Sequence, residues 1–221
     1  MDIFIGQALH GSQGRTIAAL VLAVLTITVD FCICQNAYLR FFGYHRPIIA
    51  LCSILILSFL ARWNLVLLGV TLQPRQGFLY WIKATLLIGL MVALFTVIVL
   101  VLFRAFGFTI PNPKLASYFL RDAIIIGCIK APLLEECLYR VVLCAPLAAL
   151  VGSRWTIFIS GIIFAALHFV YHIPAPDNFI AGYFLAWAFL KSGSILIPVV
   201  LHSLGNACVI VLQLSNWYLL T

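Results

Sequence analysis

The chain alternates between long apolar stretches and short segments that carry the charged residues. The clearest stretch is the run of 20 uncharged residues at 84–103, which as a helix would cross the ~30 Å hydrocarbon core of a bilayer. A helix satisfies its own backbone hydrogen bonds, as lipid requires. The pattern therefore predicts an all-α, polytopic bundle of seven or eight transmembrane helices, with spans near residues 16–34, 47–61, 84–103, 123–143, 155–171, 178–190 and 192–221.

Composition excludes an ordinary soluble domain. Of the 221 residues, 65% are hydrophobic and 9% are charged, whereas a soluble domain has roughly 45–50% and about 25%. A single soluble core of this size could not hide so much apolar surface from water. We expect one membrane domain over residues 1–221, with N-terminal helices in 1–119 and a functional core at about 120–210.

The net charge of +7 lies in short loops, where it favours contact with anionic lipid headgroups over nucleic acid. The lipid bilayer is thus the first predicted partner, and no nucleic acid is expected. We expect an integral, multi-pass protein of the plasma or inner membrane of a prokaryote. Basic residues are shared nearly evenly between alternate loops, so they do not fix its orientation.

The fourth apolar stretch carries four ionisable residues within eleven positions: Lys130, Glu135, Glu136 and Arg140. A charged side chain at the bilayer centre costs at least ~2.5–3.5 kcal/mol, so these groups must face the protein interior. Glu136 and Arg140 are four residues apart on one helix face and can form an ion pair. Glu135 is rotated by about 100° and is left free for another role. Asp30 and Lys130 could form a second pair, or each could reach an interface.

Further polar residues interrupt two other apolar stretches. His168 lies in FAALH, and His202 and Asn206 lie four residues apart in LHSLGN. Glutamate can take a proton from water, and histidine can hold that water or a metal. Asparagine and histidine can donate hydrogen bonds to an oxyanion. His172, four residues after His168, is the rival for its place.

Two prolines lie close to these residues: Pro132 precedes Glu135 by three positions, and Pro198 precedes His202 by four. A proline removes one N–H and frees a carbonyl one turn earlier, so each is expected to bend its helix. Irregular backbone at membrane depth persists only where protein or a polar cavity satisfies it. The prolines therefore favour a cavity beside the candidate residues.

Three motifs in this order resemble the CPBP intramembrane proteases, the group that includes the CAAX prenyl endopeptidases. EECLYR (135–140) matches the EExxxR motif of that family, FAALH (164–168) its FxxxH motif and HSLGN (202–206) its HxxxN motif. The resemblance covers about residues 123–208.

The resemblance implies an intramembrane endopeptidase that cleaves a membrane-associated or lipidated peptide or protein, near its C-terminus. It implies that Glu135 activates water, that His168 positions it, and that His202 and Asn206 stabilise the oxyanion. Glu136 and Arg140 then have a supporting role.

The motifs leave the role of metal open. No cofactor is certain, and zinc or another divalent metal would bind Glu135, His168 and His202. We favour a water activated by glutamate, because asparagine is a poor zinc ligand. Two other functions remain: a catalytically silent binding or immunity protein on the same scaffold, and a proton-coupled transporter that uses the same buried groups.

Overall fold

A computed structural model of the chain describes residues 5–9, 11–36, 38, 43–107, 120–171 and 176–219. Over these residues the secondary structure is helical and contains no strand, which confirms the predicted all-α class. The longer helices, numbered in chain order, are α1 (Gln13–Gln35), α2 (His45–Leu60), α3 (Phe78–Ala105), α4 (Leu120–Val170), α5 (Pro176–Ser192) and α6 (Leu196–Leu219).

Helix α4 joins two predicted spans into one element of 51 residues. Gly152 has φ 78° and ψ 166°, a conformation that suits glycine and divides α4 into a first arm (120–151) and a second arm (153–170). The described part of the chain has six longer helices, fewer than the seven or eight predicted, because two predicted spans are joined in α4. By length and composition, α1, α3 and α4 could each cross a membrane.

The first arm of α4 has two π-helical stretches, Ala123–Lys130 and Cys137–Cys144. Each is followed directly by an Ala-Pro pair, which contains Pro132 in the first case and Pro146 in the second. A proline removes a backbone N–H and its ring crowds the preceding turn, and a widened turn accommodates both effects. The predicted irregularity near Pro132 is therefore present.

Pro198 has a different role from the one predicted. It is the third residue of α6, which begins at Leu196. The first N–H groups of a helix have no intrahelical partner, so a proline there costs no helical hydrogen bond. The expectation that Pro198 bends the interior of a helix was wrong because the sequence pattern placed the beginning of this helix too early.

The second arm of α4 and helix α5 approach closely through glycines. A Cβ atom built on Gly161 would lie 2.5 Å from the Tyr183 ring, and one on Gly182 would lie 2.8 Å from the Cβ of Phe164. Small residues allow helix backbones to approach in this way in membrane bundles. This packing buries the Phe164 ring, which is 1% exposed, in the centre of the bundle.

An ion pair joins α1 to α2. Arg46 donates from Nε to Asp30 Oδ1 at 2.7 Å and from Nη2 to Asp30 Oδ2 at 3.0 Å, and Asp30 is 1% exposed. The pairing of Asp30 with Lys130 was wrong, because Lys130 lies on an exposed face of α4. Arg46 lies in the first turn of α2 and therefore reaches Asp30.

We expect Gly161→Ala to lower the free energy of unfolding by about 1–3 kcal/mol, because the new methyl group overlaps the Tyr183 ring. The matched control is Gly89→Ala in α3, where an added Cβ would have no neighbour within 4 Å. This control should stay within about 1 kcal/mol of wild type, on the stabilising side. Thermal unfolding in detergent measures both, and equal stability of the two variants would contradict the described packing.

Candidate active site

Helices α4 and α6 supply the catalytic and supporting residues that the three sequence motifs predict. The first arm of α4 contributes the three residues of the EExxxR motif, the second arm contributes one histidine near its end, and α6 contributes a histidine and an asparagine one turn apart. In chain order they are Glu135, Glu136, Arg140, His168, His202 and Asn206.

The ion pair predicted from the i,i+4 spacing is present. Arg140 Nε donates to Glu136 Oε2 at 2.7 Å, and both side chains are 0% exposed. Arg140 Nη1 also donates to Ser160 Oγ at 2.6 Å, and its guanidinium carbon lies 5.3 Å from the centre of the Phe164 ring. The pair therefore ties the two arms of α4 together.

The second oxygen of Glu136 contacts a residue that the motif spacing does not link to it. His202 Nδ1 lies 2.9 Å from Glu136 Oε1. An ionised carboxylate only accepts hydrogen bonds, so Nδ1 of His202 carries a proton. Glu136 therefore accepts from α4 and α6 at the same time and fixes the orientation of the His202 ring.

His168 is held in a similar way. Its Nδ1 lies 2.9 Å from the carbonyl oxygen of Phe164, which can only accept, so Nδ1 is again the protonated nitrogen. The Phe164 ring packs against both imidazoles, with ring centres 4.2 Å from His168 and 5.8 Å from His202. The first residue of the FxxxH motif thus supports both histidines.

Glu135 lies between the free ends of these two rings. Its Oε2 is 3.9 Å from His168 Nε2 and 4.0 Å from His202 Nε2. This oxygen is buried and has no direct hydrogen-bond partner in the part of the chain that the structure describes. Separations near 4 Å exceed a direct hydrogen bond and suit a small bridging group such as water.

The same three side chains are the ligand set expected for a metal. Among the described residues, no group of three His, Cys, Asp or Glu side chains has the geometry to hold a metal ion. The described donors therefore do not fit a metal as they stand, and no step below depends on one. His172, the rival ligand, lies outside the described residues.

Asn206 is one helical turn further along α6, and its side-chain contact is with backbone. Nδ2 donates to the carbonyl oxygen of Gly127 at 2.7 Å. A groove of about 450 Å³ opens beside this contact, between the first arm of α4 and α6. Its lining is mainly apolar and consists of Asp122, Ala123, Ile126, Gly127, Asn206, Val209 and Ile210.

Sequence reasoning missed two residues near the site. Ser160 accepts a hydrogen bond from Nη1 of Arg140, but serine is common between membrane helices and gave no signal. Asp177 lies in the first turn of α5, outside the three candidate spans. Burial raises the pKa of Asp177, while its interaction with His168 and His202 lowers it by less. An acidic residue nine positions after His168 in the sequence was the available signal.

We expect Arg140→Leu to lower the free energy of unfolding by about 3–5 kcal/mol, because it leaves the buried Glu136 carboxylate without its cation. Arg154→Leu is the matched control, since Arg154 is exposed on the second arm of α4, and it should change stability by about 0.5 kcal/mol or less. The double variant Glu136→Gln/Arg140→Leu should recover part of the loss. Denaturation in detergent measures all three, and a fully stable Arg140→Leu protein would contradict the buried pair.

The described site lies within a segment of the chain that matches a known protein family. Residues 119–208 match the family model described as Type II CAAX prenyl endopeptidase Rce1-like. No curated protein and no solved structure matches the chain. The matched segment contains every candidate site residue and has nearly the limits predicted from the motifs. The match confirms the resemblance found in the motifs: this segment is similar to the Rce1-like CAAX prenyl endopeptidases, consistent with a CPBP family intramembrane protease.

Proposed function

We propose that the protein is an intramembrane endopeptidase of the CAAX protease type, which hydrolyses a peptide bond near the C-terminus of a membrane-associated substrate. One observation carries the proposal: the buried Oε2 of Glu135 faces Nε2 of both His168 and His202 at 3.9 and 4.0 Å. The Nδ1 atoms of both rings are already engaged, so these three atoms are available for chemistry. The family match supports the protease class.

The nucleophile is a water that lies between Glu135 and His168. The Phe164 carbonyl holds the proton of His168 on Nδ1, so Nε2 of the neutral ring accepts one hydrogen bond from that water. Glu135 accepts the other and takes the proton as the water attacks the scissile carbonyl. The protonated Glu135 then gives this proton to the departing amine, which returns the carboxylate to its starting state.

Charge balance favours His202 as a hydrogen-bond donor, whereas His168 is an acceptor. Glu135, Glu136 and Arg140 together carry one net negative charge when ionised, and His202 lies between the two carboxylates. A second proton on His202 neutralises the cluster, which a low dielectric favours. Its Nε2–H then donates to the oxyanion that forms during attack, together with the amide of Asn206.

The groove between α4 and α6 supports a substrate that approaches from the membrane. It is mainly apolar and reaches Asn206, so a hydrophobic or lipidated segment can occupy it while the scissile carbonyl lies near the oxyanion donors. We propose a membrane-associated or lipidated peptide or protein as the substrate. We also propose the plasma or inner membrane of a prokaryote as the location.

We expect Glu135→Gln to abolish peptide cleavage while the protein still inserts and folds. The amide is nearly the same size as the carboxylate but does not accept a proton from water. Cleavage of a fluorogenic membrane peptide by purified protein in liposomes measures the effect. The control is Arg154→Gln, which replaces an exposed charged residue of the second arm of α4, and it should retain kcat.

Three results would contradict the role of Glu135. Cleavage by Glu135→Gln at the wild-type rate would remove this residue from the mechanism. Ion flux across sealed vesicles without any cleavage by the wild type would favour a transporter, and neither flux nor cleavage would favour a silent binding protein.

We expect Asn206→Ala to lower kcat by about 10²–10³, the usual effect of losing one oxyanion donor. The KM should change little, because the interaction strengthens in the transition state. Metal content and kinetics of the wild type and the variant decide between an oxyanion site and a zinc site. Stoichiometric zinc in the wild type that disappears in the variant, with rescue by added Zn²⁺, would contradict the oxyanion role.

A further inference from the structure

The backbone before Pro132 follows a π-helical hydrogen-bond register. The N–H of Ala131 donates to the carbonyl of Ile126, five residues earlier. In the same register the next donor would be residue 132, and its acceptor would be the Gly127 carbonyl. Pro132 has no N–H, so the helix itself leaves this carbonyl without its regular donor.

Asn206 supplies the missing hydrogen bond. Its Nδ2 donates to the Gly127 carbonyl at 2.7 Å, across the interface between α6 and the first arm of α4. This contact orients the carboxamide, because its nitrogen and not its oxygen must face a carbonyl. Of the two hydrogens on Nδ2, one is held by Gly127 and the other points in a fixed direction away from it.

We propose that Pro132 is a positioning residue for hydrolysis, which acts through the Gly127 carbonyl to hold the Asn206 amide in its donating orientation. The proposal rests on the proposed function, in which the second N–H of Asn206 donates to the oxyanion. Preorganised donors are effective because they need no rearrangement when charge develops. An alanine at position 132 adds a backbone N–H that can bond to the Gly127 carbonyl, so this carbonyl no longer depends on Asn206 and holds its side chain less firmly.

The kinetic test compares Pro132→Ala with Pro146→Ala. Pro146 is a close match, since it is also buried and also follows a π-helical stretch and an alanine, but it lies roughly 20 Å further along the helix. We expect Pro132→Ala to lower kcat about tenfold or more, up to the ~10²–10³ that loss of the donor causes, with KM unchanged. Pro146→Ala should retain the wild-type kcat. In an Asn206→Ala background, Pro132→Ala should have no further effect on kcat.

A spectroscopic readout tests the same contact without any cleavage. Gly127–Cys128 is the single Gly-Cys pair in the sequence, so glycine labelled with ¹³C at the carbonyl and cysteine labelled with ¹⁵N give one correlated NMR signal. Loss of a hydrogen bond moves a carbonyl ¹³C signal to lower frequency. We expect Asn206→Ala to cause this shift in the wild-type background and to cause little or none in the Pro132→Ala background, where the backbone supplies a donor.

The two readouts separate the possible failures. A Gly127 signal that does not respond to Asn206→Ala would overturn the proposal, whatever the activity. Equal kcat values for Pro132→Ala and Pro146→Ala in an active enzyme would also overturn it. A wild type that cleaves no peptide would defeat the proposed function and the positioning role together, while the NMR shift would still show whether Asn206 is held by the carbonyl that Pro132 leaves free.

Discussion

The Glu136 carboxylate is the constraint on which the rest of the site depends. It is fully buried and accepts one hydrogen bond from Arg140, on its own helix, and one from His202, on α6. A buried carboxylate is costly unless a cation and hydrogen bonds compensate it, so α6 must approach α4 at this point. The same contact sets the His202 ring so that its Nε2 faces Glu135.

One carboxylate could not both hold the helices together and accept a hydrogen bond from water, so the two adjacent glutamates divide these tasks. Both oxygens of Glu136 are engaged, one by Arg140 and the other by His202. Glu135 is turned away from Arg140 and leaves a buried oxygen between two imidazoles. Phe164 links both tasks, since its ring packs against the histidines and its carbonyl fixes one of them. The glycine-mediated approach of α5 keeps that ring buried.

The sequence predicted what local spacing and hydropathy determine. The helical class followed from apolar stretches, and the Glu136–Arg140 pair followed from the i,i+4 geometry of one helix. The partner of Asp30 did not, because several cations were within reach and only the packing of α1 on α2 selects Arg46. The prediction of a bend at Pro198 was wrong, because the effect of a proline depends on where its helix begins.

Contacts between distant segments were beyond sequence reasoning. His202 lies 66 residues from Glu136, and Asn206 lies 79 residues from Gly127, so no periodicity relates them. The motifs nevertheless singled out Glu135, His168 and His202, and the Glu135 carboxylate lies about 4 Å from each of the two imidazoles. They did not reveal that Asn206 donates to the Gly127 carbonyl, because nothing in the motif spacing relates these two segments.

The most direct test of this account is ¹⁵N NMR of the histidine side chains in lipid bilayers, with signals assigned through His168→Gln and His202→Gln. The account predicts that resting His168 is neutral with its proton on Nδ1, where the Phe164 carbonyl accepts it. It predicts that both nitrogens of His202 carry protons between Glu136 and Glu135. A proton on Nε2 of a neutral His168, or a neutral His202 with a bare Nδ1, would contradict the central role of Glu136 and the chemistry derived from it.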